Sequence, residues 1–182
     1  SEGFSRANLN CSISESIERF RALTGAAKAD NVKVRGYVSM ITDCPFDGPI
    51  APAAVARVVA SLRDLGCYEI RLGDTLGKAR PATIDAMLVA VLDELAAGQL
   101  AGHYHDTAGR ALANIEASLA RGLRVFGASV GGLGGCPYAP GAKGNVATEA
   151  VQARLLSLGY ETGLDPVKLA LATSIARSIK AK

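Results

Sequence analysis

The sequence predicts an α/β fold in which strands and amphipathic helices alternate along the whole chain. Two observations carry this prediction. Short runs rich in Val, Ile and Leu recur, and each is followed by apolar residues at helical spacing. Each strand–helix unit takes roughly 25–35 residues, which is typical of a βαβ unit and implies a parallel sheet with helices packed outside it. Only four strands are predicted, so the chain is either a small open sheet or about half of an eight-stranded barrel.

Boundary signals place the individual elements. Ser12 and Glu15 have the spacing of a capping box, and Pro52 fits the first turn of a helix. The predicted strands cover residues 32–38, 67–72, 100–105 and 123–129. The predicted helices run from Ser12 to about Ala29, from Pro52 to Gly66, from near Pro81, after Asp106-Thr107, over 146–158 and after Asp165-Pro166. The last helix carries apolar residues in register at Val167, Leu171, Ile175 and Ile179.

Composition favours one globular domain over residues 1–182 and excludes several classes of protein. Of the 182 residues, 49% are hydrophobic and 20% charged, which argues against a disordered chain. The net charge of +3 forms no basic stripe, which argues against a nucleic-acid partner. No apolar run approaches the roughly 18 residues needed to span a membrane, and no signal peptide is recognised. Cysteines 11, 44, 67 and 136 lack zinc-type spacing, so we expect free thiols in a reducing compartment.

Polar residues follow the predicted strands at their carboxyl ends, where α/β folds place active sites. His103 and His105 are separated by one residue in a strand, so both side chains point to the same side. Two imidazoles on one face suit a divalent metal, and Asn145 offers a neutral oxygen ligand from a later loop. The alternative is that the two histidines are ordinary polar residues at a strand end. Asp74, after the second strand, is either a site residue or a turn former.

A glycine-rich stretch ends on the fourth cysteine. Four of the five residues over 131–135 are glycine, and Cys136 follows directly. Such glycines are expected where the backbone bends sharply or approaches a ligand closely, so we predict a mobile loop that carries a reactive thiol. Phosphate binding by the loop is the alternative. The stretch lacks both the Gly-Lys-Ser/Thr ending of a P-loop and the GxGxxG spacing, which disfavours nucleotide binding.

These residues lead to a family resemblance. The stretch Ser129-Val-Gly-Gly-Leu-Gly-Gly-Cys-Pro-Tyr-Ala139 closely resembles the active-site loop of the 3-hydroxy-3-methylglutaryl-CoA lyase (HMG-CoA lyase) family. The similarity covers essentially the whole chain. It includes the segments Asn10-Cys-Ser12, Val34-Arg-Gly-Tyr-Val-Ser39, Gly66-Cys-Tyr-Glu-Ile70, Leu72-Gly-Asp-Thr75, His103-Tyr-His-Asp-Thr107 and Gly144-Asn-Val-Ala-Thr-Glu149. The cysteine loop is specific to the lyases, whereas the histidine segment is shared with related metal-dependent aldolases and synthases.

The resemblance implies a (β/α)8 (TIM) barrel with Mg²⁺ or Mn²⁺ at its C-terminal mouth. It assigns His103, His105 and Asn145 as metal ligands and Cys136 as the catalytic cysteine. Asp74 and Glu149 match acidic residues that line the family's substrate site. The implied reaction cleaves 3-hydroxy-3-methylglutaryl-CoA, a small-molecule acyl-CoA, to acetyl-CoA and acetoacetate, as in leucine degradation. We expect the cytoplasm, or the mitochondrial matrix if the source is eukaryotic.

One departure from the family pattern is large. The family's first strand carries an Arg-Asp pair that contacts the acyl group and the metal, and this chain has no counterpart. The resemblance therefore implies barrel strands five to eight, with the N-terminal half absent. Two imidazoles and one amide hold a hard cation weakly without a carboxylate. We expect the 182 residues alone to be inactive, and to associate with the missing half or with a second copy because of exposed sheet edges.

Two further functions stay open from the sequence. A related metal-dependent aldolase or acyl-CoA condensing synthase would share the histidine segment, but the cysteine loop favours the lyase. A non-catalytic α/β assembly module is the other alternative, and the missing Arg-Asp pair supports it.

Overall fold

The computed structural model describes residues 1–135 and 144–180, without the side chain of Lys180. In chain order, its helices and strands are α1 (Glu2–Leu9), α2 (Ile13–Ala29), β1 (Arg35–Ser39), β2 (Asp43–Cys44), β3 (Gly48–Pro49), α3 (Pro52–Asp64), β4 (Glu69–Asp74), α4 (Pro81–Leu92), β5 (Leu100–Tyr104), α5 (Ala111–Ala120), β6 (Val125–Gly127), α6 (Thr148–Ser157) and α7 (Pro166–Lys180). Short 3-10 turns cover Ala97–Gln99 and Val130–Gly132. No helix within these ranges is long and apolar enough to cross a lipid bilayer.

The four predicted strands form one parallel sheet in the order β1-β4-β5-β6, which confirms the α/β class. The helices α3, α4 and α5 connect successive strands and pack on one side of the sheet. Strands that follow one another along the chain in this sheet are therefore also neighbours in space, joined by helical crossover connections. In the described sheet, β1 and β6 each have one strand neighbour and form its edges.

The main core lies between the sheet and the helices. Residues that alternate along β4 and β5, including Ile70, Leu72, Leu100 and Tyr104, are almost fully buried there. They pack against the buried apolar residues of α3, α4 and α5, one of which is Val59 of α3. Fully burying one such aliphatic side chain contributes roughly 1.5–3 kcal/mol, so this layer is the main source of stability.

The opposite side of the sheet, which we call the inner face, carries the alternate residues. It presents Arg35, Tyr37 and Ser39 from β1, Glu69, Arg71 and Gly73 from β4, Ala101 and His103 from β5, and Val125 and Gly127 from β6. This face is open at β1, where Tyr37 is 60% exposed, whereas Glu69 and Ala101 on the same face are buried.

Several boundaries differ from the predicted ones for physical reasons. The helix α1 was not predicted, and the predicted loop after the first strand contains the hairpin formed by β2 and β3. The first strand begins at Arg35, where the pairing with β4 starts. Val32 lies outside the sheet, because it is exposed and its N–H donates to the Ala27 carbonyl of α2. The helix α6 begins at Thr148, since Val146 is a buried part of the segment that returns from the glycine stretch.

The apolar stripe predicted on the last helix exists, but it faces away from the core. Val167, Leu171, Ile175 and Ile179 are 77%, 65%, 56% and 60% exposed. The residues of α7 that pack inward are Leu169, Thr173 and Ala176.

Candidate active site

The two histidines lie together at the carboxyl end of the sheet. His103 is near the end of β5 and pairs in register with Gly73 and Gly127, and His105 follows directly after the strand. Their ring centroids are 5.4 Å apart, in an edge-to-face arrangement with an interplanar angle of 74°. Burial lowers the pKa of both imidazoles below 6.5, and for His103 the neighbouring His105 and Arg71 lower the pKa further. Both rings are therefore neutral near pH 7, which is the form that binds metals.

Asn145 is brought to the same place by the backbone. It forms an isolated antiparallel bridge with His105, and the adjacent Gly144 carbonyl accepts the Asp106 N–H at 2.8 Å. The Asn145 amide group donates from Nδ2 to the Leu133 carbonyl at 2.9 Å. This contact orients the side chain and leaves its oxygen, Oδ1, buried without a partner among the described residues.

The three residues present atoms that fit a divalent cation. Nδ1 of His103, Nδ1 of His105 and Oδ1 of Asn145 are all buried and have no hydrogen-bond partner among the described residues. Buried polar atoms are rarely left unpaired, because losing water without a new partner costs free energy. Within residues 1–135 and 144–180, no group of three His, Cys, Asp or Glu side chains converges. The donor set is therefore two imidazoles and one amide oxygen.

The glycine stretch leaves and rejoins the fold at nearly one point. The Gly134 carbonyl accepts the Asn145 N–H at 3.2 Å, and a Cβ atom on Gly144 would lie against the Gly134 carbonyl oxygen. Gly131, Gly132, Gly134 and Gly144 all have positive φ, as the predicted sharp bends require. Cys136, the predicted catalytic thiol, lies outside the described residues. Cys11, Cys44 and Cys67 are free and buried, as expected.

Glu149 anchors the start of this stretch. Located in the first turn of α6, it accepts the backbone N–H of Gly131 at 3.1 Å through Oε2. Its other oxygen lies 3.9 Å from the guanidinium of Arg177 on α7. The carboxylate therefore links the glycine stretch to two helices at the rim of the site.

Asp74 lies at the end of β4 and is almost fully buried. Its two carboxylate oxygens accept the backbone N–H groups of Gly77 at 3.1 Å and Ala79 at 3.0 Å. Burial raises its pKa to about 6, although these backbone hydrogen bonds act in the opposite direction. The contacts fit the turn-forming alternative, in which Asp74 shapes the connection to α4. Its predicted place in the substrate site stays a prediction.

Two inner-face residues beside the histidines were not singled out from the sequence. A Cβ atom on Gly127 would lie 2.8 Å from Nδ1 of His103 and 2.9 Å from Nη1 of Arg71, so only glycine leaves room for both groups. The Arg71 guanidinium also stacks on the Tyr37 ring at 5.4 Å. The sequence signal for Arg71 was its place in the predicted strand over residues 67–72. It alternates there with Ile70 and Leu72, so its side chain had to point away from the core.

Fold and site together define a class of protein: a parallel α/β scaffold with two imidazoles and an amide side chain at the carboxyl ends of its strands. Residues 1–175 match the HMGL-like family, and the chain belongs to that family. A curated relative, the hydroxymethylglutaryl-CoA lyase of Pseudomonas mevalonii, is 54% identical over 165 residues, which are 91% of this chain and 55% of the relative. The chain thus spans about half the length of the curated relatives it matches.

Solved structures agree with this assignment. The HMG-CoA lyase of Brucella melitensis superposes with a TM-score of 0.98 at 57% identity, over 100% of this chain and 64% of that one. An HMG-CoA lyase from Acenitobacter baumannii, solved with coenzyme A and 3-methylmalate, gives a TM-score of 0.89 at 33% identity. That match covers 95% of this chain and 56% of the other.

Proposed function

We propose that the chain carries the metal-binding part of an HMG-CoA lyase, a carbon–carbon lyase that cleaves 3-hydroxy-3-methylglutaryl-CoA to acetyl-CoA and acetoacetate. The observation that carries the proposal is that His103, His105 and Asn145, which the sheet end and a backbone bridge bring next to one another, each carry a buried side-chain atom without a hydrogen-bond partner among the described residues. Similarity to HMG-CoA lyases over nearly the whole chain supports the same reaction.

In this proposal, His103, His105 and Asn145 hold a divalent cation, Mg²⁺ or Mn²⁺. When bound, the cation supplies Lewis-acid stabilisation of the negative charge that develops on a substrate oxygen. The imidazoles are neutral near pH 7 because burial has lowered their pKa values, so they need not lose protons before binding. The Asn145–Leu133 hydrogen bond holds the amide nitrogen and leaves the amide oxygen, which is buried without a partner, as the proposed ligand atom.

The predicted acidic residues and thiol take different parts. Cys136 takes part in proton transfer, as the family resemblance implies. Glu149 holds the glycine stretch that bears Cys136, through its hydrogen bond from Gly131. The Asp74 carboxylate fixes the turn that follows β4. This turn borders the histidines, because the Asp74 carbonyl accepts the N–H of His105 at 3.2 Å.

We further propose that the four strands are half of a closed barrel and correspond to its strands five to eight. The exposure of Tyr37 on the inner face and the free outer edges of β1 and β6 in the described sheet support this reading, since a closed barrel would cover the face and pair the edges. The partner for those edges would be the other four strands or a second copy of this chain. The substrate is an acyl-CoA, a class supported by the coenzyme A complex of the A. baumannii relative. We propose the cytoplasm as compartment, or the mitochondrial matrix in a eukaryote.

Calorimetry with Mn²⁺ and then with 3-hydroxy-3-methylglutaryl-CoA tests the proposal. We expect the 182-residue chain to bind both, the metal weakly, and the double variant His103→Ala/His105→Ala to bind no metal. Lys33→Ala, remote from the site, is the matched control. Acetoacetate release, followed by mass spectrometry, should be slow or absent in the chain alone. Equal metal binding by the wild type and the double variant would refute the assignment.

A further inference from the structure

The inner face carries one cation that no described carboxylate balances. Three charged side chains lie on it, and two of them form an ion pair: Nε of Arg35 is 2.5 Å from Oε1 of Glu69. Arg71 is the third. In the described residues it makes no hydrogen bond or ion pair, and its Nε atom is buried without a partner. Arg71 is half-buried, and a buried N–H without an acceptor is unfavourable by itself, so the unpartnered Nε atom calls for a functional explanation.

The position of Arg71 is set by its neighbours on three strands. Its guanidinium stacks on Tyr37 of β1 at 5.4 Å, which holds the planar group against the sheet. Nη1 of Arg71 and Nδ1 of His103 both approach the place that a Cβ atom on Gly127 would occupy, at 2.9 Å and 2.8 Å from that position. The guanidinium therefore lies beside the His103 imidazole, and its remaining N–H groups have no hydrogen-bond partner among the described residues.

We propose that Arg71 binds the free carboxylate of a dicarboxylic acyl-thioester and is a specificity-determining residue of this site. This inference rests on the proposed function. In 3-hydroxy-3-methylglutaryl-CoA, one methylene separates the free carboxylate from the carbon that carries the hydroxyl group. An anchor for that carboxylate must lie close to the group that receives the hydroxyl oxygen, and Arg71 borders His103. A guanidinium is suited to this task, because its parallel N–H groups match a carboxylate in a bidentate pair.

A matched pair of ligands tests the proposal by calorimetry in the presence of Mn²⁺. The first is 3-hydroxy-3-methylglutaryl-CoA, and the second is 3-hydroxy-3-methylbutyryl-CoA, which lacks only the free carboxylate. We expect the wild-type chain to prefer the first by roughly tenfold or more, as a charge-assisted hydrogen-bond pair would give. Arg71→Gln should abolish this preference, and Arg71→Lys should restore part of it. Arg57→Gln, an exposed arginine on α3, should leave the preference unchanged.

The outcomes separate the two proposals. Equal binding of the two thioesters to the wild type would overturn the role of Arg71 and leave the lyase assignment standing, as would an unchanged preference in Arg71→Gln. Failure of the wild type to bind either thioester would refute both. Mn²⁺ binding is the measure of an intact site, so its loss in Arg71→Gln would make Arg71 a structural residue and overturn the proposal.

Discussion

Gly131 donates its backbone N–H to the carboxylate of Glu149, a residue 18 positions further along the chain, at 3.1 Å. This single hydrogen bond ties the beginning of the glycine stretch to the first turn of α6. The residue predicted from its family position to line the substrate site thus also determines where the thiol-bearing segment departs from the sheet. Loop and helix are coupled through one side chain.

Removing this carboxylate should loosen the glycine stretch. We expect Glu149→Ala to lower the free energy of unfolding by about 1–3 kcal/mol, because the Gly131 N–H loses a charged acceptor. Glu149→Gln keeps an oxygen acceptor and should lose less. Urea denaturation measures the stability, and hydrogen exchange at residues 131–135 measures the local effect. Glu161→Ala, an exposed acid, is the control. Unchanged exchange in Glu149→Ala would show that the anchor is dispensable.

Gly127→Ala should disturb the proposed metal ligand His103 although it leaves that residue unchanged. The added methyl group would lie 2.8 Å from Nδ1 of His103 and 2.9 Å from Nη1 of Arg71, so both groups must move. We expect Mn²⁺ affinity to fall by about tenfold or more, the usual effect of displacing the groups that support a ligand. Gly98→Ala meets open space and should bind as the wild type does. Equal affinities for the two variants would contradict the crowding argument.

Asp74 should give the protein a pH dependence of unusual sign. Burial raises its folded-state pKa from 3.8 to about 6, so the folded protein holds the proton more tightly than the unfolded chain. The resulting stabilisation is complete below about pH 4 and is lost as the pH rises through about 6, by up to about 3 kcal/mol. Asp74→Asn stays neutral throughout, so its stability relative to the wild type should rise between pH 4 and pH 7.

Urea denaturation at several pH values measures this difference. Asp85→Asn is the matched control: Asp85 is only partly buried, and the hydrogen bonds from Arg121 lower its pKa. Its contribution is lost only as the pH falls towards 3.8 and below, so its difference from the wild type should be flat from pH 4.5 to 7. A flat difference for Asp74→Asn as well would mean that its pKa is not raised.

Tyr104 holds the histidine-bearing strand against α5. Its hydroxyl hydrogen-bonds to Oγ of Ser118 at 2.7 Å in a fully buried position, where burial raises its pKa well above 10. The Ser118 hydroxyl in turn donates to the Asn114 carbonyl, so the tyrosine is the donor in the pair. We expect Tyr104→Phe to cost about 1 kcal/mol of unfolding free energy. The exposed Tyr68→Phe should stay within about 0.5 kcal/mol of the wild type, as measured by thermal denaturation.

The parts of the fold that were predictable depend on local chemistry. The capping box at Ser12 and Glu15 is present, with both reciprocal hydrogen bonds, because its partners are three residues apart. The α/β class followed from repeated patterns, each contained within one strand–helix unit. The shared face of His103 and His105 followed from the period of a strand alone.

What could not be predicted depends on partners distant in sequence. A helical stripe shows which residues share a face, but not whether anything covers it, so the exposure of Leu171 and Ile175 was not foreseen. Arg71 was overlooked for a related reason. A charged residue in an alternating strand ordinarily faces solvent, and only the positions of Tyr37 and Gly127 show that this one is held beside the histidines.

The closeness of Gly134 and Asn145 has a consequence for protein engineering. The Gly134 carbonyl accepts the Asn145 N–H, so the two ends of the connecting segment are held together by a backbone hydrogen bond. Asn145, whose side-chain amide is a proposed metal ligand, is one of the two residues in that bond. The segment between these two ends can thus be replaced by one of another length. Replacing residues 136–143 with a segment of different length should change loop-closure entropy only slowly, by about 0.6 kcal/mol for each doubling, while the ligand atoms keep their places.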